Sequence, residues 1–141
     1  MGYCGDEKLY EKVWRNGVYH TGDTAYKDED GYYWYVGRID DLIKTRGFRV
    51  GPFEIENVLM KHPAVMECAV IGVPDESRGQ AIKATVHLAE GYTESRELKR
   101  ELKTFVNSRV ASYKHIQHLE FIDEMPKTIS GKIKRTDIRE I

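Results

Sequence analysis

A short list of side chains in this chain could do chemistry. Lys132 follows Ser130-Gly131, so an ammonium sits in a small-residue setting that suits a loop able to insert a cation into a site built elsewhere. Asp23 follows Thr21-Gly22, Arg38 precedes Asp40-Asp41, and Lys44 and Arg49 flank the triplet Thr45-Arg46-Gly47. Four of these positions have an ordinary alternative. Asp23 alone reads as a turn residue, Arg38 as a surface ion pair, Gly47 as a turn glycine and Lys132 as part of a solvated basic tail. The five histidines, at 20, 62, 87, 115 and 118, lack the spacing with acidic or thiol neighbours that zinc sites show, so no metal site is expected. A serine-centred nucleophile elbow and a phosphate-cradling glycine loop are also absent.

Composition narrows the setting. The 141 residues, 40% hydrophobic and 32% charged, suit one ordinary globular domain. The formal charge of -1 hides an asymmetry. Residues 1–31 carry seven acids against four bases, whereas 126–141 carry five bases against two acids, so a local anion partner is expected near the tail. A general nucleic-acid binder needs many clustered cations, which this near-neutral chain lacks. Cys4 and Cys68 are far apart, and Cys68 sits in an apolar run, which suggests neither a disulfide framework nor metal ligands. The expected compartment is a reducing cytoplasm, with no membrane span and no signal peptide.

The elements that must position these residues follow from periodicity. Residues 1–16 show no clean period and read as loop or a short helix. Gly17 to Val36 reads as short strands joined by a turn at Lys27–Gly31, with Tyr32, Tyr33, Trp34 and Tyr35 either exposed for want of a packing partner or covering a local core. Leu42-Ile43 and Phe48–Val50 flank a hairpin turning at Gly47. Gly51-Pro52 opens a helix with the stripe Phe53, Ile55, Val58 and Leu59, with Glu54 and Glu56 placed to complement its dipole. Val65–Val73 suits a strand buried on both faces, and the alternation over Ile82–Leu88 a half-solvated one. A second amphipathic helix falls between Thr93 and Ala111 with Thr93 as candidate cap, and Leu119 and Phe121 mark a last strand before a lysine-rich tail.

The stretch Gly37-Arg-Ile-Asp-Asp-Leu-Ile-Lys-Thr-Arg-Gly-Phe-Arg49, followed by Glu54-Ile-Glu56, resembles the hinge motif of the adenylate-forming enzymes. Tyr19-His-Thr-Gly-Asp23 and Pro126-Lys-Thr-Ile-Ser-Gly-Lys-Ile-Lys-Arg135 match two further signatures of that superfamily in the right order. The resemblance runs from about Gly17 onward and is most like an acyl-CoA synthetase of the acetyl-CoA or medium-chain type. It implies an α+β fold: a small C-terminal lobe with a β-hairpin and a short mixed sheet packed by helices, preceded by terminal strands of a large domain. Residues 1–39 are then the end of that large ATP- and acid-binding domain, and 40–141 the mobile C-terminal domain. Only about the last quarter of such an enzyme is in the sequence.

The same resemblance assigns roles. Lys132 matches the lysine of adenylation, Asp23 an aspartate that accepts hydrogen bonds from the ribose hydroxyls of ATP, and Arg38 an arginine that reaches the nucleotide. Asp40 matches the hinge about which the small lobe rotates between its adenylating and thioester-forming poses. In the second pose the hairpin faces the active site, where Gly47 lets pantetheine pass close to backbone, and Lys44 and Arg49 stabilise phosphate. The implied substrates are a carboxylic acid, ATP with Mg2+ held through the large domain, and CoA. The implied partner is the chain's own N-terminal domain, without which the fragment is expected to be inactive. Asp40-Asp41 with Lys44 looks more like acyl-CoA synthetases than beetle luciferases. A peptide-synthetase adenylation domain or an aryl-CoA ligase is the enzymatic alternative, and a non-catalytic interaction module the alternative of another class.

Overall fold

In the computed structural model residues 5–139 are described, so Cys4 lies outside them. The chain divides into two units, Met1–Asp40 and Asp41–Ile141. Each is described by itself.

The first unit opens with the short helix α1, Glu7–Val13, whose N-cap Asp6 accepts a hydrogen bond from the Leu9 amide at 2.9 Å. Strands β1 (Trp14–Arg15) and β2 (Val18–Tyr19) pair antiparallel around Asn16-Gly17, both at positive φ, the backbone of a two-residue hairpin turn. Strands β3 (Asp23–Lys27) and β4 (Tyr33–Arg38) form a second antiparallel ribbon. The turn expected at Lys27–Gly31 is there, organised by Asp28, which accepts from the Tyr32 amide at 2.8 Å and from Trp34 Nε1 at 2.5 Å. The Trp34 hydrogen bond, ahead of the others, holds the Asp28 carboxyl below its ordinary pKa. Tyr32, Tyr33, Trp34 and Tyr35 are all exposed, Tyr33 to 74%, so they do not cover a local core. A two-stranded ribbon has too few neighbours to bury them.

The second unit begins beside a short 3₁₀ turn at Ile39–Asp41. Strands β5 (Ile43–Thr45) and β6 (Phe48–Val50) form the expected hairpin, with Arg46 and Gly47 both at positive φ in its two-residue turn. Helix α2 is Pro52–Leu59, with proline in its first turn, where the missing N–H costs nothing. Strands β7 (Val65–Asp75) and β8 (Gly79–Leu88) make a long antiparallel pair, helix α3 is Arg96–Asn107, and strand β9 (His118–Phe121) runs parallel to β8. Together β6, β5, β8 and β7, with β9 on β8, form a five-stranded mixed sheet. Its first face carries the main core, where Ile55, Leu59, Leu98, Leu102 and Val106 of α2 and α3 meet Val70, Ile82, Ala84 and Val86.

The structure corrects the sequence reading in four places. Strand β8 is not half-solvated: Lys83 is 8% exposed and Thr85 4%, because the segment after β9 folds back over this face. Met125 and Ile138, with Ile122 and Ile133, pack there against Ala69 and Ile71, and Lys83 Nζ pairs with Glu120 at 2.7 Å. The cap of α3 is Ser95 and not Thr93, since Ser95 has the extended backbone of a cap and its Oγ accepts from the Leu98 amide at 3.0 Å. The basic tail ends in the helix α4, Arg135–Arg139. Only Glu54 lies in the first turn of α2, where it can complement the dipole; Glu56 falls a turn later and is buried on the packed side of the helix.

Candidate functional site

The residues singled out from the sequence fall into three groups, one in the first unit and two in the second. In the first unit, the chain from β2 to β3 bends at Gly22, at φ +79°, and this bend lies against the end of β4. The Arg38 guanidinium donates from Nη1 to the Thr21 carbonyl at 2.9 Å and from Nη2 to Asp40 Oδ2 at 3.2 Å, and Nη1 stands 3.8 Å from Asp23 Oδ1. Two backbone links hold the frame. The Ile39 amide donates to the Gly22 carbonyl at 2.8 Å, and the Asp23 amide to Thr21 Oγ1 at 3.1 Å. Asp23, Arg38 and Asp40 therefore form one polar cluster, at the rim of an open cleft of about 470 Å3 that Lys12, Arg15 and Tyr19 also line. All three side chains are accessible enough to reach a ligand. In the sequence Thr21 and Gly22 stand out only as neighbours of Asp23. One supplies the carbonyl that orients Arg38, the other the room for it.

The second group is the β5–β6 hairpin. Lys44 and Arg49 stand opposite each other in register, both exposed, so two cations flank one short turn. The stem is tied to β8 from outside: the Lys44 amide donates to Gln80 Oε1 at 2.7 Å and the Arg46 amide to the Arg78 carbonyl at 2.9 Å. Gly47, at φ +81°, has no heavy atom within 4 Å of where a Cβ would lie, so its backbone is open to anything that approaches. The hairpin thus presents bare backbone at Gly47 with three exposed cations, Lys44, Arg46 and Arg49, around it.

Lys132 forms the third group. The loop that carries it is closed by hydrogen bonds: the Thr128 amide donates to the Lys132 carbonyl at 2.7 Å, the Lys132 amide to Thr128 Oγ1 at 3.1 Å, and the Gly131 amide to the Thr128 carbonyl at 2.9 Å. Lys127 and Ile133 close it as an antiparallel bridge. The cations around it are engaged. Lys127 pairs with Glu67 at 2.6 Å, Lys134 with Asp137 at 3.4 Å, Arg135 with Glu56 at 2.8 Å, and Arg139 with Asp41 at 3.2 Å. Lys132 alone of the five bases after residue 125 makes no ion pair among the described residues, and its side chain is exposed.

Sequence reasoning misses Glu56 and Arg135 as site residues. Glu56 accepts both Arg135 Nη2 contacts, at 2.9 and 2.8 Å, and its Oε1 also accepts the Val70 amide at 2.8 Å. A signal for Glu56 exists, because positions 52, 56 and 59 share a helical face and the other two are buried. None exists for Arg135. Its partners lie 79 and 94 residues away. Among the described residues no group of three or more His, Cys, Asp or Glu gathers as a metal site, and no helix is long and apolar enough to cross a membrane.

Residues 54–132 match the family described as AMP-binding enzyme C-terminal domain. The chain is 51% identical over 140 residues to 4-hydroxybutyrate–CoA ligase 1 of Metallosphaera sedula, covering 99% of this chain and 25% of that protein. It is 49% identical over 129 residues to the acetyl-coenzyme A synthetase of Bacillus subtilis, covering 92% of this chain and 23% of that protein. The crystal structure of a benzoate CoA ligase from Burkholderia xenovorans superposes with a TM-score of 0.85 at 34% identity, covering 99% of this chain and 27% of that one. The chain spans about a quarter of the length of the curated relatives it matches.

Proposed function

The chain belongs to the AMP-binding enzyme family, whose C-terminal domain it carries, and on that premise we propose that it serves an AMP-forming acyl-CoA synthetase. The reaction has two steps. A carboxylate oxygen attacks the α-phosphorus of ATP and pyrophosphate leaves, and the thiol of CoA then attacks the acyl carbon of the adenylate and AMP leaves. Residues 1–39 are the end of the large domain and 40–141 the mobile domain, with Asp40 as the hinge between its two poses. The large domain supplies the acid pocket and the site for ATP with Mg2+.

One observation carries the reading. A merely solvated basic tail has no reason to pair four of its cations and leave the fifth alone on a hydrogen-bonded turn, whereas an ammonium meant for a ligand must keep its charge available. Lys132 is that ammonium, and in the adenylating pose it stabilises the charge that builds on the α-phosphate and the attacking oxygen. Asp23 accepts from the ribose hydroxyls, for which a carboxylate offers two acceptor atoms, and Arg38 reaches the nucleotide with its planar fork. The Thr21 carbonyl and Asp40 orient that fork.

In the thioester-forming pose the hairpin takes over. The bare backbone at Gly47 lets pantetheine slide past, and Lys44 and Arg49 stabilise phosphate on either side. Identity to a 4-hydroxybutyrate ligase and an acetyl ligase, and structural likeness to a benzoate ligase, support an acid-thiol ligase. The acid is selected in the large domain, and the cytoplasm is the proposed setting.

The test uses the full-length protein. Pyrophosphate release that depends on a carboxylic acid and proceeds without CoA, followed by thioester only when CoA is added, is the expected result. A full-length protein that binds its partners but releases no pyrophosphate with any carboxylic acid would return the chain to the interaction-module reading.

A further inference from the structure

We propose that Arg135 is a positioning residue, which through Glu56 and Asp41 holds the Lys132 turn at a set place on the lobe and ties that place to the residue after the proposed hinge. The inference rests on the adenylating role given to Lys132 above. It starts from what the tail is fastened to. Lys132 is three residues before Arg135, and the two are joined through Ile133, which packs in the second core, and Lys134, whose amide donates to the Pro126 carbonyl at 2.8 Å. The turn therefore cannot move far unless Arg135 moves with it.

Arg135 is gripped from two directions. Glu56 takes Nη2 with both carboxylate oxygens at 2.9 and 2.8 Å, and it is itself locked to the sheet by the Val70 amide. Asp41 Oδ2 takes Nη1 at 3.3 Å, and Asp41 Oδ1 takes Arg139 Nη2 at 3.2 Å. The Asp41 and Glu56 side chains are only 17% and 11% exposed. Pairs this sheltered are little screened by water, and removing one partner leaves a charge in a place that does not tolerate it.

Asp41 is the residue directly after the proposed hinge. A change of backbone state at Asp40 must displace or preserve the Asp41 carboxylate, and through Arg135 the Lys132 turn feels which. A lysine cannot replace Arg135 in this role. A guanidinium spans Glu56 and Asp41 at once, whereas an ammonium is a point charge on a flexible stem. The other arm of the turn is fastened independently, by Lys127 to Glu67 at 2.6 Å and by Met125 in the second core, so loss of Arg135 loosens one side of the turn without releasing the tail.

The experiment uses the full-length protein, parent and Arg135→Lys, each with and without Lys132→Ala, and Asp41→Asn as a milder variant that leaves the Glu56–Arg135 pair intact. Three quantities are read: acid-dependent pyrophosphate release, thioester formation from supplied acyl-adenylate, and amide exchange over residues 128–134. Arg135→Lys is expected to slow adenylation by about tenfold to a hundredfold, the range for a displaced reacting group. Thioester formation should stay near the parent rate, exchange over 128–134 should quicken, and Asp41→Asn should do the same more weakly. In the Lys132→Ala background Arg135→Lys should add no further loss, since two residues that act through one group are not additive. Full additivity, an equal loss in both half-reactions, or unchanged exchange over 128–134 would each overturn the inference. Faster exchange in Arg135→Lys, with adenylation intact in Lys132→Ala, would uphold the tie and overturn the role given to Lys132 instead.

Discussion

A Cβ placed on Gly22 would stand 3.1 Å from Nη2 and 3.3 Å from Cζ of Arg38, so the missing side chain at one residue is the resting place of the guanidinium of the other. Gly22 also sits at φ +79°, where an L side chain is strained. Gly22→Ala should therefore strain this bend and displace the Arg38 guanidinium by a few tenths of an ångström where it meets the Thr21 carbonyl. If Arg38 is aimed at the nucleotide by this bend, the apparent affinity for ATP in the full-length enzyme should fall. An unchanged KM for ATP would show that Arg38 is not held for the nucleotide.

Lys132→Ala should slow adenylation by about 10²-fold or more, as expected for the loss of a preorganised electrostatic donor. The melting temperature should hardly move, because the side chain is exposed and unpaired among the described residues. Fed with ready-made acyl-adenylate, the variant should still form thioester, and acetylation of this lysine should mimic it by removing the charge. Intact pyrophosphate release in Lys132→Ala would contradict the assignment.

At Gly47 the open space around the backbone separates two effects that a larger side chain would otherwise mix. A Cβ at Gly47 meets no heavy atom within 4 Å beyond its chain neighbours, but Gly47→Leu carries the cost of φ +81°, about 1–2 kcal/mol. Gly47→Asn tolerates that backbone far better. Both should impair the thioester step and spare adenylation, and only the leucine variant should melt earlier. A normal thioester rate in the asparagine variant would leave Gly47 as a turn residue and nothing more.

Cys68 gives a pH-dependent test of the core. Burial, with the Glu56 charge added to it, pushes the thiol up to about 12. In a Cys4→Ala background at pH 8 the Cys68 thiol should therefore react slowly with a disulfide reagent in the native protein and quickly in the denatured one. The sign for stability follows from the same shift. An unfolded thiol ionises near its ordinary value of 9.0, so between about 9 and 12 the unfolded state has lost a proton that the native state keeps, and stability should fall as pH rises through that window. Cys68→Ala should flatten this part of the pH profile, and an unaltered slope would mean that the thiol is not its source.

Much of this protein is legible in its sequence alone. The hairpin at Gly47, the proline-led helix, the buried strand at Val65–Val73 and the amphipathic α3 depend on near neighbours and on periods of two and 3.6, which a sequence displays directly. The three ordered motifs name the residues for which roles are proposed.

What the sequence leaves open depends on contacts between distant residues. Lys83 and Thr85 alternate with apolar neighbours like a solvated face, and only the return of the tail, with Met125 and Ile138, makes that face an interior. Arg135 is one more cation in a basic tail until the fold brings it to Glu56 and Asp41. Near-neighbour rules can propose Lys132 for chemistry, but which tail cations are paired is decided by burial and by partners brought together only when the chain folds.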